Sequence, residues 1–147
     1  MTLGNLLKIG QLKSHATDSA EIQRLLDASR RNLADAHVEA ISTETRFDAA
    51  YKAIMQAALV ALMANGFRPD TNKPGHHMTV LQSLPTTIGL PSGRMTVLDT
   101  LRRKRNLLDY TGEDVDDISA QNCIREAEQL LREVDAWLKK NTPDLVR

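Results

Sequence analysis

The residues of this 147-residue chain whose types and spacing could do chemistry gather in one stretch, Arg-Arg-Lys-Arg-Asn-Leu-Leu-Asp-Tyr at 102–110. At roughly 100° per residue, Val97, Leu98, Leu101 and Leu108 form an apolar stripe, and Arg105 falls inside it. Arg102, Asn106 and Asp109 flank Arg105, so the four polar side chains share an arc of about 100°. A guanidinium at a position that should be apolar costs on the order of several kcal/mol unless it is paired and hydrogen-bonded. Asp109, one turn further on, is the local partner that would fix it in place. The stretch is therefore where function should be sought, and the elements around it must be read for how they position it.

Composition narrows the classes. Lys+Arg and Asp+Glu both number 19, so the formal net charge is zero and a general polyanion binder is disfavoured. A local patch remains, because Arg102, Arg103, Lys104 and Arg105 are consecutive. Aromatic residues make up 3%, too few for a base-stacking platform. Cys123 is the only cysteine, which excludes an internal disulfide and a cysteine-rich metal site. No apolar run approaches the roughly 20 residues of a membrane span, and the first residues lack the pattern of a signal peptide. These readings lead to the expectation of a cytoplasmic protein without membrane association.

Taken in order, residues 1–17 are a weak lead-in with Leu3, Leu6, Leu7, Ile9 and Leu12. Asp18 followed by Glu21 is a capping-box pattern, and Ile22, Leu25, Leu26, Leu33, Ala36 and Ala40 recur at helical steps. Ser42 and Thr43 offer a cap for a second long helix, apolar on most sides and rich in alanine, that Asn65-Gly66 terminates. His76 to Leu84 reads as a short helix stopped near Pro85. A helix carrying Arg105 follows from about Ser92 to Tyr110, and an acidic turn then leads to a last helix capped by Ser119. Residues 141–147 read as a frayed tail. No segment alternates like a strand. The expected fold is all-α, an antiparallel four- to five-helix bundle over residues 18–140.

The run Arg105-Asn106-Leu107-Leu108-Asp109-Tyr110, before a turn and a final amphipathic helix, resembles the HEPN superfamily (higher-eukaryote and prokaryote nucleotide-binding domains). The alanine-rich helix with Tyr51, the following Gly66 and the His76-His77 pair resemble it too. The likeness is to a branch of uncharacterised bacterial members with Arg, a few residues, then Asp-Tyr. The resemblance implies a dimeric helical bundle. It also implies a site of Arg102, Arg105, Asn106, Asp109 and Tyr110 holding the phosphate of a nucleotide or RNA. A minimal nucleotidyltransferase is the implied partner, in a toxin–antitoxin pair. Nuclease members cleave RNA without a metal, using arginine and a histidine from two subunits. Here Tyr110 occupies the histidine position, and an unperturbed phenol of pKa near 10 is a poor base at neutral pH. The resemblance thus implies a binding module rather than a standard ribonuclease. A non-standard ribonuclease and a purely structural dimeric bundle are its rivals.

Other candidate residues carry less. Arg31 and His37 also have the family's spacing, but six residues along a helix separate them by about 120°, so they cannot converge. His76 and His77 are adjacent and face different ways, with no third ligand spaced nearby. Cys123 falls on the last helix's apolar stripe as inert core, and Trp137 and Leu138 read as packing. Neither a cofactor nor a metal is expected. Chelator treatment should accordingly leave the thermal melting temperature unchanged; a clear downward shift would mean that the histidines had been misread.

Overall fold

The computed structural model describes residues 2–146. Its elements are α1 (Leu3–Lys8), β1 (Leu12–Ser14), α2 (Ser19–Ala36), α3 (Thr43–Ala64), β2 (Phe67–Pro69), α4 (His76–Gln82), α5 (Leu84–Thr87), α6 (Ser92–Thr111) and α7 (Asp117–Asn141). A 3-10 turn, Pro143–Val146, follows. The protein is mostly helical, as the sequence leads one to expect, with one two-stranded ribbon beside the helices.

The starts of α2, α3 and α7 are set by side chains that accept orphan backbone N–H groups. Asp18 Oδ1 accepts from the Glu21 amide at 2.8 Å, and Ser42 Oγ accepts from the Thr45 amide at 3.1 Å. Asp116, not Ser119, caps α7: its Oδ1 accepts from the Ser119 amide at 3.2 Å, so the helix begins three residues earlier than expected. A carboxylate caps a helix at least as well as a hydroxyl, and Asp116 stands one turn before Ser119. Gly112 closes α6 at φ +65°, a left-handed conformation that a side chain would strain. The first long helix ends at Ala36, not Ala40, and Pro85 opens α5 instead of ending a helix, since proline lacks only an N–H that a first turn does not need.

Cross-helix contacts give the direction of each element. Arg46 donates to the Ala36 carbonyl while Ser29 donates to the Ala53 carbonyl, the running order of an antiparallel α2–α3 pair. Arg30 meets Asp135 and His37 meets Glu128, so α7 is antiparallel to α2. Thr43 meets Asp117 and the Cys123 thiol meets the Phe47 carbonyl, so α7 runs parallel to α3. Arg94 bonds Glu126 and Glu133, and Lys104 bonds Ser119, which sets α6 antiparallel to α7. Successive long helices alternate, and the second and fourth lie side by side.

The core is centred on α3, where Phe47, Ala50, Tyr51, Ala53, Ile54, Ala57, Ala58, Val60, Ala61 and Leu62 are all buried. Length and composition alone would let α3 cross a membrane, contrary to the reading that no run approaches that length. In the fold its apolar surface packs against α2 and α7. Its alanines are therefore covered by the chain itself, and they leave no bare small-residue face for a second copy.

Two features lie beyond the expected elements. The lead-in is held down: β1 pairs antiparallel with β2, Leu12 opposite Pro69, and Leu12 is buried. Three-residue strands are too short to show alternation in sequence, and Gly66, at φ +91°, turns the chain out of α3 so that its carbonyl accepts from the His15 amide at 2.8 Å. His15 and Glu21 then hydrogen-bond at 2.6 Å, tying the ribbon to α2. The final turn is not frayed, because Leu145 and Val146 pack against the core.

Ser29 is fully buried, and its hydroxyl donates to the Ala53 carbonyl at 2.8 Å. Ser29→Ala should cost about 1 kcal/mol in urea denaturation through loss of that bond. Ser29→Leu should cost more, about 1–3 kcal/mol beyond the hydroxyl's loss, because it overpacks the α2–α3 contact.

Candidate functional site

Arg105 projects from α6 toward α3. Its guanidinium lies over the Tyr51 ring, 5.1 Å from the centroid, a cation–π geometry. Its ion-pair partner is Asp48, at 3.9 Å, not Asp109. Among the described residues Asp109 makes no ion pair; it is exposed, and its charge acts on Asp48. The helical spacing was sound, but the acceptor came from another helix: α3 presents Asp48 and Tyr51 one turn apart, and a ring face and a carboxylate together suit a guanidinium better than Asp109 alone.

The anchoring charge of α6 is Asp99, which sequence reading passed over. Its side chain is 6% exposed, and it accepts from Arg102 Nε at 2.8 Å and pairs with Arg103 at 3.1 Å. The signal was present as an acid followed by bases three and four residues on. Arg102, 14% exposed, is thereby committed to Asp99, although its charge still reaches the cleft. Asn106 is exposed, and Tyr110 is 92% exposed and lines no part of the Arg105 cleft. Of the five expected site residues, only Arg105 lines the cleft.

The other walls are Asp48, Tyr51, Lys52, Met55 and His77, around a volume of about 370 Å³. His77 comes from α4, whose start follows Gly75 at φ +75°. Its Nδ1 lies 3.4 Å from the Tyr51 hydroxyl, a long contact, and its ring meets that of His76 edge-on at 4.7 Å. The histidine pair thus contributes a cleft residue through tertiary packing. Among the described residues no three histidine, cysteine, aspartate or glutamate side chains gather as a metal site.

Burial lowers the His77 pKa, and the positive charges of His76, Arg105 and Arg102 lower it further. His77 is therefore neutral at pH 7. Burial raises the Tyr51 pKa to about 12 despite the nearby Arg105 and Arg102, so its phenol stays protonated. Burial also raises Asp48, offset in part by Arg105 and reinforced by Asp109 and Glu44. The cleft presents one guanidinium, a lysine, a neutral imidazole and a phenol against a single loosely held carboxylate. Such a set can bind an anion and exchange a proton with it.

The remaining candidates separate as expected. Arg31 lies in an open cleft with Asn32, Asp35, Lys52 and Gln56, whereas His37 bonds Glu128 at 2.7 Å; the two do not converge. Cys123 is buried, and burial pushes its thiol pKa up to about 12, so it is inert. The chain matches no family model, no curated protein and no solved structure. The class the fold and cleft define is an all-α protein with a small cationic cleft between α3, α4 and α6.

His77 also yields a pH test. Its folded pKa is depressed below the ordinary value of about 6.5, so the stability it contributes is present above that value and lost as pH falls through the folded pKa. Stability measured by urea denaturation should decline between pH 7 and pH 5 more steeply in the wild type than in His77→Gln. Equal slopes would mean that the imidazole is not held neutral by its surroundings.

Proposed function

We propose that this chain is a HEPN-like helical-bundle binding module whose Arg105 cleft takes the phosphate of a nucleotide or RNA. One observation carries the reading: Arg105 is preorganised on the Tyr51 ring while its ion-pair partner stands off at 3.9 Å. A guanidinium held in place but incompletely neutralised can gain a closer, bidentate oxyanion at little ordering cost. Lys52, which has no ion-pair partner among the described residues, stands at the same rim.

On this reading the protein acts as a homodimer. Exposed Val97, Leu107 and Tyr110 on α6 and Ile118 on α7 support it by leaving apolar area in water. The toxin–antitoxin setting with a nucleotidyltransferase partner rests on the resemblance of the Arg105 to Tyr110 run alone. A second reading, cleavage of RNA by proton transfer, is favoured by His77. It supplies from α4 a neutral imidazole that the Tyr110 position lacks.

Arg105→Met should leave stability within about 1 kcal/mol of wild type, because a partly exposed pair contributes little. It should weaken binding of nucleotide or short RNA, with a loss that shrinks at high salt. Unchanged binding at low salt would eliminate the phosphate reading. His77→Gln separates the two readings, since binding should survive it while any RNA cleavage should not.

A further inference from the structure

Beside the Arg105 cleft lies a second concavity, about 210 Å³, between α3, α4 and the end of β2. Met55, Leu59, Pro69 and Val80 give it apolar walls, and Gln56, Thr71 and His76 bring polar groups to it. The two hollows share Met55 and His77, so an apolar compartment adjoins the cationic one across a common wall. From this juxtaposition we infer that the second hollow seats the base of a mononucleotide whose phosphate rests on Arg105, an assignment that depends on the phosphate reading of that residue.

The chemistry favours a flat heteroaromatic ring over a saturated chain. Alkyl carbon would fill the apolar walls but offer no acceptor to the Gln56 amide. A base offers two π-faces to Met55, Leu59 and Pro69 and a polar edge to Gln56. The Gln56 carbonyl oxygen already accepts from the Asn32 amide at 2.7 Å, so its NH2 is what remains to donate. The base that fits best is one with an acceptor on the presented edge. The apolar hollow taken alone is small for a whole ligand, and with the adjoining cleft it falls within the range of ordinary small-molecule sites.

The experiment is calorimetric titration of the full chain with inorganic phosphate, ribose 5-phosphate and the four nucleoside monophosphates. At least one nucleotide should bind about tenfold or more tightly than ribose 5-phosphate. Leu59→Trp, which fills the hollow, should erase that difference and leave ribose 5-phosphate unaffected. Should that variant fail to fold, Gln56→Leu serves: it should weaken the preferred nucleotide about five- to tenfold and leave ribose 5-phosphate unchanged. Arg105→Met should weaken every phosphate. If nucleotides bind no better than ribose 5-phosphate while Arg105→Met still weakens both, the base assignment falls and the phosphate reading stands. If Arg105→Met changes nothing, or no phosphate binds at millimolar concentration, both fall.

Discussion

A 22-residue helix made largely of alanine, leucine, valine, isoleucine and methionine is apolar on most sides and must be buried, and the fold is largely a means of covering it. Each large side chain it hides, Phe47, Ile54 or Leu62, contributes about 1.5–3 kcal/mol by leaving solvent. α7 lies directly against it: the Cys123 thiol reaches the Phe47 carbonyl at 3.7 Å. With α2 and α7 packed along it, the sides of α3 left for chemistry are narrow. Asp48, Tyr51, Lys52 and Met55 lie on one of them.

The cleft follows from how the remaining elements close over that strip. α6 is fastened away from it by Arg94, which meets Glu126 at 3.2 Å and Glu133 at 2.6 Å on α7. Within α6, Asp99 takes Arg102 and Arg103, which neutralises much of the consecutive basic run and leaves Arg105 as the guanidinium directed at α3. α4, held between α3 and α6, adds His77. The electrostatics are thus selective: four adjacent basic residues produce one available guanidinium in the cleft, because an acid inside the helix and acceptors on neighbouring helices consume the others.

Charge and burial in the cleft are mutually dependent. Tyr51 is 2% exposed and its phenol is held protonated, so the ring offers Arg105 a neutral face rather than a phenolate. Burial, aided by the same cations, keeps His77 uncharged. An arriving anion would offset the Arg105 charge and so raise the His77 pKa, which links occupancy of the cleft to the protonation of that imidazole.

What the sequence by itself determined was local. Caps at Asp18 and Ser42, the stop at Asn65-Gly66, the central apolar helix, the Arg105 helix and the amphipathic last helix were all readable, because each depends on residues within a turn or two. Arg105 was conspicuous for the same reason, as a charge at an apolar step of the helical period. Its counterion was not readable. Periodicity favoured Asp109 at the next turn, whereas the fold supplied Asp48 and Tyr51 from a different helix. His77 meets Tyr51 across 26 residues of chain, and β1 meets β2 across a still longer interval. Side chains that distant are brought together by the free energy of covering α3, a property of the whole assembly that no local spacing encodes.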